Sequence, residues 1–182
     1  NVTLVGVLAA DLSLHASDYR ASERTFQLLT QAVGRAGRGN QAGEAVIQTY
    51  VPDHYSIRTA AAQDYEAFFQ QEILYRKLLA YPPVAFMLGI YLSGPEEEYL
   101  KKCSERLGNL IREFSVEGLA VIGPAAAALS RKQDLYRRVI YLKHTEEAAL
   151  LHVKKALEQE LEKSTVWQKI YIQFDYNPLN AY

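Results

Sequence analysis

The stretch "AYPPVAFMLGIYL", residues 80–92, separates two different sequence patterns. Pro82 and Pro83 cannot continue a helix, because proline lacks the amide hydrogen that a helix needs and its ring clashes with the preceding turn. The apolar run after them predicts a strand over 84–92. We therefore predict a domain boundary at the two prolines, with a different fold on either side.

Upstream, residues 1–82 alternate between strand and helix. The continuous apolar run at 2–10 predicts a buried strand, and "EAVIQTYV" at 44–51 predicts another. Between them, Ser22 is the predicted N-cap of a helix with an apolar stripe, and a further helix is predicted from Asp64 to the prolines. Strand, helix and strand form a βαβ unit, so we expect an α/β fold with a parallel sheet.

Downstream, residues 83–182 change to a pattern with adjacent strands. The predicted elements are, in order, strand 84–92, helix 96–114, strand 117–122, strand 136–143, helix 146–163 and strand 167–174. This βαββαβ order is that of a ferredoxin-like split βαβ sandwich, in which helices cover one face of an antiparallel sheet. The predicted fold class is therefore α/β followed by α+β.

The composition limits the classes of protein to consider. A net charge of −1 over 182 residues cannot hold the whole chain to nucleic acid, although it allows a local basic stripe. Cys103 is the single cysteine, which excludes internal disulfides and a cysteine-built zinc site and indicates a reducing compartment. The histidines lack metal-ligand spacing, so no metal site is expected. The longest apolar run is too short to cross a bilayer, and we expect no membrane partner.

The stretch "QAVGRAGRGN", residues 31–40, places two arginines among glycines at the end of the first predicted helix. On a helix, Gln31, Arg35 and Arg38 lie within about 60° of one another. A guanidinium group is a rigid fork of donors that fits phosphate oxygens, and small residues between two such groups allow another surface to approach. The pattern indicates a phosphate clamp. An alternative is that the arginines only stabilise the C-terminal end of the helix dipole.

The segment "QLLTQAVGRAGRG" resembles motif VI, the Q-x-x-G-R-x-G-R element of superfamily-two helicases. The lead-in "ADLSLHASDYRASERTFQLLTQ" and the later segments "YEAFF", "LAYPP", "IGPAAAAL" and "YRRVIYLKH" are similar to PriA-type replication-restart helicases. The resemblance covers almost the whole chain. It implies that residues 1–82 are the C-terminal part of a second RecA-like helicase lobe and that residues 83–182 are a ferredoxin-like domain that binds DNA junctions.

The resemblance also implies roles for individual positions. The residues expected at the ATP phosphates are Arg35 and Arg38, with Gln31 helping to position the nucleotide. The residues expected to support the nucleotide cleft are Gly34, Gly37 and Asp11. Four further residues of the lead-in are expected to shape the cleft and couple it to DNA: Asp18, Arg20, Glu23 and Arg24. Helix capping is an alternative role for Asp18 and Glu23.

The sequence lacks other parts that the resemblance implies for a complete helicase. It has no G-x-x-x-x-G-K-[ST] phosphate loop, no Walker-type acidic box and no cysteine cluster. ATP and Mg²⁺ are therefore expected as cofactors of a longer parent protein, and zinc is expected in that parent but not in this chain. The absence of an initiating methionine agrees with a fragment, which we expect to be unable to hydrolyse ATP alone.

A second stretch, "SRKQDLYRRVIYLKH" at 130–144, gathers basic and aromatic residues around a single acid, Asp134. Basic groups follow a phosphate backbone while aromatic rings stack on unpaired bases, which predicts a DNA surface. The predicted DNA-binding residues are Arg131, Lys132, Tyr136, Arg137, Arg138 and Lys143. Strand alternation sends Arg137 and Arg138 to opposite faces. An alternative is an edge strand whose positive charge prevents pairing with other chains.

We therefore predict the C-terminal part of an ATP-dependent 3′–5′ DNA helicase that restarts stalled replication forks by primosome assembly. The expected partners are branched and single-stranded DNA, single-strand-binding protein and primosome proteins, in the bacterial cytoplasm at the nucleoid. Two alternatives remain at this point. The chain could be a nucleic-acid-binding module that works without the motor, or a scaffold that binds single-strand-binding protein or primosome proteins.

Overall fold

The computed structural model describes residues 2–16, 18–36 and 43–179 of an α+β chain. Its contacts divide the chain into two compact units, which we call unit 1 (residues 1–75) and unit 2 (residues 76–182). The division lies on the N-terminal side of the boundary predicted at the two prolines. No helix in the described ranges is both long and apolar enough to cross a membrane.

Unit 1 combines a pair of short strands with helices. Its elements are β1 (Leu4–Val7), a 3-10 helix (Ala10–His15), α1 (Ala21–Val33), β2 (Glu44–Ile47), α2 (Tyr55–Ala61) and the greater part of α3 (Tyr65–Leu79). The strands pair in parallel, with Leu4 opposite Glu44 and Val7 opposite Ile47, which confirms the predicted parallel pairing. The core of unit 1 consists of small, aliphatic and aromatic side chains from the helices, namely Ala10, Phe26, Leu29, Ile57, Ala60 and Phe68.

Two predictions for unit 1 are corrected by the structure. Helix α1 begins at Ala21 and its N-cap is Arg20, so Ser22 is not the cap. The reason is the preceding turn, where the Asp18 carbonyl oxygen accepts a hydrogen bond from the Ala21 amide and starts the helix earlier. Helix α2 was not predicted, because its short segment carries too few residues to show a helical period.

Unit 2 has the predicted order of strands and helices. Its elements are β3 (Phe86–Gly94), α4 (Glu97–Glu113), β4 (Ala120–Lys132), β5 (Leu135–His144), α5 (Glu147–Glu162), a 3-10 helix (Thr165–Lys169) and β6 (Tyr171–Tyr176). The strands form one sheet in the order β4-β5-β3-β6, and each neighbouring pair is antiparallel. Strand order and direction thus agree with the βαββαβ pattern read from the sequence.

The core of unit 2 lies between one face of this sheet and the two long helices. Alternate residues of β3 and β5 point to the helices, and they are fully buried at Leu88, Ile90, Ile140 and Leu142. The helices meet them with their own apolar stripes, which include Leu100, Leu107, Ile111, Leu150 and Leu157. Even-numbered residues of β5 therefore face the helix layer, whereas odd-numbered residues face the opposite side of the sheet.

Strand β4 is longer than the predicted strand over 117–122. The register shifts between Ile122 and Ala125, where Gly123 has a φ of 95°, and this irregularity accommodates Pro124 inside the strand. The strand then continues to Lys132. Two left-handed residues, at 133 and 134, connect β4 to β5 in the manner of a type I′ hairpin turn. We call residues 130–138 the basic hairpin.

Candidate nucleotide site and nucleic-acid surface

The C-terminal end of α1 carries the part of the arginine-glycine motif that the structure describes. Helix α1 buries Phe26 and Leu29 in the core of unit 1. Gln31 and Arg35, near its C-terminal end, are exposed. An open pocket of about 540 Å³ lies at this end and is lined by Thr30, Gln31, Gly34 and Arg35. The structure thus brings three of the predicted nucleotide residues, Gln31, Gly34 and Arg35, to one pocket.

Gly34 is the close-approach position of this pocket. A Cβ atom at residue 34 would lie 3.1 Å from the Thr30 carbonyl oxygen and 4.0 Å from Nε2 of Gln63. The Gly34 amide also donates to that Thr30 carbonyl oxygen at 2.9 Å. A side chain at residue 34 would therefore press against the Thr30 carbonyl oxygen, which glycine avoids.

Arg35 has the exposure that a phosphate contact needs. Within the described ranges, no carboxylate lies within ion-pair distance of its guanidinium group. Its positive charge at the end of a helix is favourable but is not neutralised there. The predicted partners Gly37 and Arg38 lie outside the described residues.

The charged residues of the lead-in pair with each other at the opposite end of α1. The Arg24 guanidinium lies 2.7 Å from the Asp18 carboxylate, and Arg20 donates two hydrogen bonds to Glu23 at 3.0 Å. The Asp18 carboxylate also accepts from the Arg20 amide at 2.9 Å, which is a helix-start role. The helix from Glu23 to Val33 spans about 15 Å along its axis, and Arg35 lies beyond that end. The structure does not bring these residues to the pocket.

Asp11 is buried near the ends of both strands of unit 1. Its carboxylate accepts a hydrogen bond from the Tyr50 amide at 3.1 Å and thereby ties the 3-10 helix to the segment after β2. This hydrogen bond, with a second from the Thr49 hydroxyl, lowers the pKa of the Asp11 carboxyl below its usual value. Asp11 lies near the carboxyl ends of the two strands, where parallel sheets commonly bind ligands. Its carboxylate oxygens, however, accept hydrogen bonds from Tyr50 and Thr49 of the same unit.

In unit 2, the tip of the basic hairpin is exposed to solvent. Arg131 donates to the Asp134 carboxylate at 2.9 Å across the turn, and its guanidinium lies 5.2 Å from the ring centroid of Tyr136. Lys132 is exposed next to them. The structure therefore brings Arg131 to the ring of Tyr136, whereas Lys132 is paired with Leu135 and is exposed at the next position of the strand.

Arg137 and Arg138 lie on opposite faces of β5, as the alternation predicts. Arg138 points to the helix layer, where its Nε donates to the Ser104 hydroxyl of α4 at 2.7 Å. Arg137 lies on the face that carries Val139 and Tyr141. Both arginines are half-buried. Because they lie on opposite faces of β5, one flat surface cannot present both side chains.

Lys143 does not reach the DNA surface that was predicted for it. The residue is only 6% exposed, its ammonium donates to the Leu79 carbonyl oxygen at 3.0 Å, and it lies 3.3 Å from the centroid of the Tyr81 ring. Burial lowers the pKa of the Lys143 ammonium. Lys143 lies on the same face of β5 as Arg137, and the segment after α3 covers that face at Lys143. Lys143 therefore fixes the C-terminal end of α3 to the sheet.

One side of α4 carries residues that the sequence analysis did not select. Ser104 contacts Arg138, a Cβ atom at Gly108 would lie 3.0 Å from the Pro124 ring, and Arg112 donates to the Gly123 carbonyl oxygen at 2.9 Å. These three residues are four apart along the helix and so share one face. The spacing of these residues is visible in the sequence. Their contacts with Gly123 and Pro124 could not be expected, because β4 was not predicted to extend past residue 122.

Comparison with known proteins shows sequence similarity to replication restart proteins along almost the whole chain. The sequence profile of the primosomal protein N C-terminal domain matches residues 77–179. The replication restart protein PriA of Bacillus subtilis (strain 168) is 36% identical over 178 residues, which cover 98% of this chain and 22% of that protein. The same protein of Synechocystis sp. is 35% identical over 98% of this chain and 21% of its own length. That of Haemophilus influenzae is 34% identical over 91% and 23%. The chain thus spans roughly a fifth to a quarter of these relatives.

Proposed function

Because this chain belongs to the family of replication restart protein PriA and its C-terminal domain, we propose that it is the C-terminal part of an ATP-dependent 3′–5′ DNA helicase. The parent protein would restart stalled replication forks through primosome assembly in the bacterial cytoplasm, at the nucleoid. The names of the curated relatives support the role in restart. The motor and its residues are supported by the features of unit 1.

In this proposal, unit 1 is part of a RecA-like lobe that closes one side of an ATP pocket. The observation that carries it is the exposed Arg35 guanidinium, which has no carboxylate partner in the described ranges and stands at the rim of an open pocket. Arg35 and Arg38 would donate to the β- and γ-phosphate oxygens, and the Gln31 amide would help to orient the nucleotide. Such an arginine stabilises the charge that spreads over the transferring phosphoryl group.

The opposite side of that pocket would come from elsewhere in the longer protein. The phosphate loop that holds ATP and the groups that hold Mg²⁺ are missing from this sequence. Zinc would likewise be bound by other parts of the parent. The 182-residue chain alone would therefore not hydrolyse ATP, and a clear rate of hydrolysis by the purified chain would contradict the proposal.

Unit 2 would be a ferredoxin-like domain that binds branched and single-stranded DNA. The strand order β4-β5-β3-β6 and the βαββαβ sequence of elements support that fold. The basic hairpin supports the binding role, because it exposes Arg131 beside the ring of Tyr136 and exposes Lys132 at the next position. Basic groups would follow the phosphates and the ring would contact an unpaired base.

The motor is tested by replacing Arg35 in the longer protein that contains this chain. Arg35→Ala should lower DNA-stimulated ATP hydrolysis by about 1,000-fold, as the loss of a phosphate-stabilising arginine does, and should leave DNA affinity unchanged. Arg58→Ala is the matched control, since Arg58 is an exposed arginine on α2 away from the pocket lining. Unchanged ATP hydrolysis by Arg35→Ala would show that the motor assignment of this motif is wrong.

A scaffold that binds single-strand-binding protein or primosome proteins is the alternative role for unit 2. The two roles differ in their response to salt, because contacts to phosphates weaken steeply as salt rises. Binding of forked DNA by the chain that is absent or insensitive to salt would favour the scaffold.

A further inference from the structure

The guanidinium of Arg138 is held in place before any ligand binds. Its Nε donates to the Ser104 hydroxyl oxygen at 2.7 Å, and that hydroxyl donates in turn to the Lys101 carbonyl oxygen at 2.7 Å. Ser104 is fully buried, so the hydroxyl has one defined environment. Since the hydroxyl proton is engaged by Lys101, its lone pair is directed at Arg138. The two terminal nitrogens of Arg138 are thereby left as an oriented fork.

Arg112 provides a second guanidinium on the same side of α4. Its Nη2 donates to the Gly123 carbonyl oxygen at 2.9 Å, and its Nη1 donates to the Asn109 side chain at 3.2 Å. The same Nη1 would lie 3.4 Å from a Cβ atom at Gly108, which places the group one helical turn beyond Ser104. The two guanidinium groups therefore contact positions of α4 that are one turn apart, about 6 Å along the helix axis.

Neither guanidinium has a carboxylate partner among residues 2–16, 18–36 and 43–179. The acid closest in sequence to the basic hairpin, Asp134, is already paired with Arg131 at 2.9 Å. Both arginines hydrogen-bond only neutral groups, a hydroxyl, an amide and a carbonyl. Two positive charges that are oriented by neutral partners retain their attraction for an anion.

We propose that Arg112 and Arg138 bind the phosphates of a nucleic-acid strand along the edge formed by α4 and β4, with Ser104 as the residue that positions Arg138. A separation of about 6 Å is on the scale of the charge repeat of such a strand, which is about 3.4 Å per nucleotide along a duplex and longer when the strand is extended. The site lies on the helix side of the sheet, next to Tyr136 of the basic hairpin. The inference rests on the proposed DNA-binding role and extends it to two residues, Arg112 and Ser104.

The test is a titration of fluorescent forked DNA with the full chain at several salt concentrations. The double variant Arg112→Ala, Arg138→Ala should bind about tenfold more weakly and should reduce the slope of log K against log salt by about 1.4 to 1.8, the value for two lost phosphate contacts. Lys102→Ala is the control, because Lys102 is an exposed cation on another side of the same helix. A double variant with the affinity and slope of the unaltered chain would overturn the inference.

The positioning role of Ser104 has its own measurement. Ser104→Ala should weaken binding in the unaltered chain but should cause no further loss in an Arg138→Ala background, because its effect passes through Arg138. An equal loss in both backgrounds would show that Ser104 acts on the fold instead. If Ser104→Ala does not fold, Ser104→Cys replaces it, because cysteine has a similar size and its sulfur is only a weak acceptor for the Arg138 Nε. It should bind more weakly than the unaltered chain, and equal binding would contradict the positioning role.

The basic hairpin separates failure of this inference from failure of the proposed function. If Arg131→Ala, Lys132→Ala weakens binding and the α4 variants do not, DNA binding stands and the α4 site is wrong. If the unaltered chain does not bind forked DNA, the DNA-binding role of unit 2 is itself wrong, and the inference falls with it.

Discussion

The two units of this chain differ in how completely they bury their strands. In unit 2, the strands that face the helices contain fully buried residues such as Leu88 and Ile140. In unit 1, the short strands leave Leu4 62% exposed and Val46 51% exposed. A pair of strands is marginally stable without further strands or helices on it. The comparison shows that the strands of unit 2 are covered by its own helices, whereas those of unit 1 leave apolar side chains exposed, and this difference supports the proposal that unit 1 is completed by other parts of a longer protein.

The largest expected effect is on the cores. Leu107→Ala removes a fully buried side chain from unit 2 and should cost about 2 to 5 kcal/mol of unfolding free energy. Leu8→Ala, at a side chain that is 77% exposed in unit 1, should change it by less than about 0.5 kcal/mol. Urea unfolding followed by the fluorescence of Trp167, which is the single tryptophan and lies in unit 2, measures the first effect, and far-UV circular dichroism measures both. Equal losses for the two variants would remove the contrast between the units.

A smaller effect separates the two lysines that the sequence grouped together. Lys143→Ala leaves the Leu79 carbonyl without its donor and removes the contact with the Tyr81 ring, so it should cost about 1 to 3 kcal/mol of stability without changing DNA affinity. Lys132→Ala should leave stability unchanged. It should weaken DNA binding and reduce the slope of log K against log salt. Chemical unfolding and fork titration of the same two proteins check this. Weaker DNA binding by a stably folded Lys143→Ala would restore its place at the surface.

The stability of unit 1 should depend on pH through the ionisation of Asp11. Hydrogen bonds from Tyr50 and Thr49 lower the pKa of Asp11 from 3.8 in the folded state, so its contribution to stability is present above about pH 4. That contribution is lost as the pH falls through the lower folded pKa. Asp11→Asn should therefore show a flatter decline in stability between about pH 5 and pH 2, measured by far-UV circular dichroism. Parallel declines for both proteins would mean that this carboxylate does not hold the 3-10 helix in place.

The smallest expected effect is at the hairpin turn. Gln133 has a φ of 51°, a conformation that asparagine adopts more readily than glutamine. Gln133→Asn should increase the unfolding free energy of unit 2 by about 0.3 kcal/mol without affecting the binding of forked DNA. A loss of stability in urea unfolding would contradict a type I′ turn at this position.

The order of elements in unit 2 was predictable because apolar alternation and helical stripes are long there. Strands β3 and β5 were placed within two residues of their observed ends. The end of β4 was missed because Pro124 reads as a break, and only a bulge opposite β5 lets the strand pass it. Alternation also placed Arg137 and Arg138 on opposite faces. It could not show that α4 meets Arg138 or that the segment after α3 covers Lys143, since those contacts depend on packing.

In the candidate nucleotide site, residue spacing and the resemblance to motif VI together indicated Gln31 and Arg35, which are exposed in the structure. The lead-in residues were harder to interpret, because charges such as Asp18 and Arg24 serve equally well to start a helix. The structure gives them that role, with an ion pair at 2.7 Å. Sequence spacing cannot separate these two uses of the same residue types.

We propose that unit 2 binds nucleic acid by itself, whereas the arginine-glycine motif of unit 1 contributes to a nucleotide site only within a longer protein. Titration of fluorescent forked DNA onto the isolated chain, repeated across a salt series, tests it most directly. The account predicts saturable binding with a log K that falls linearly with log salt. No binding, or binding that salt does not weaken, would contradict it.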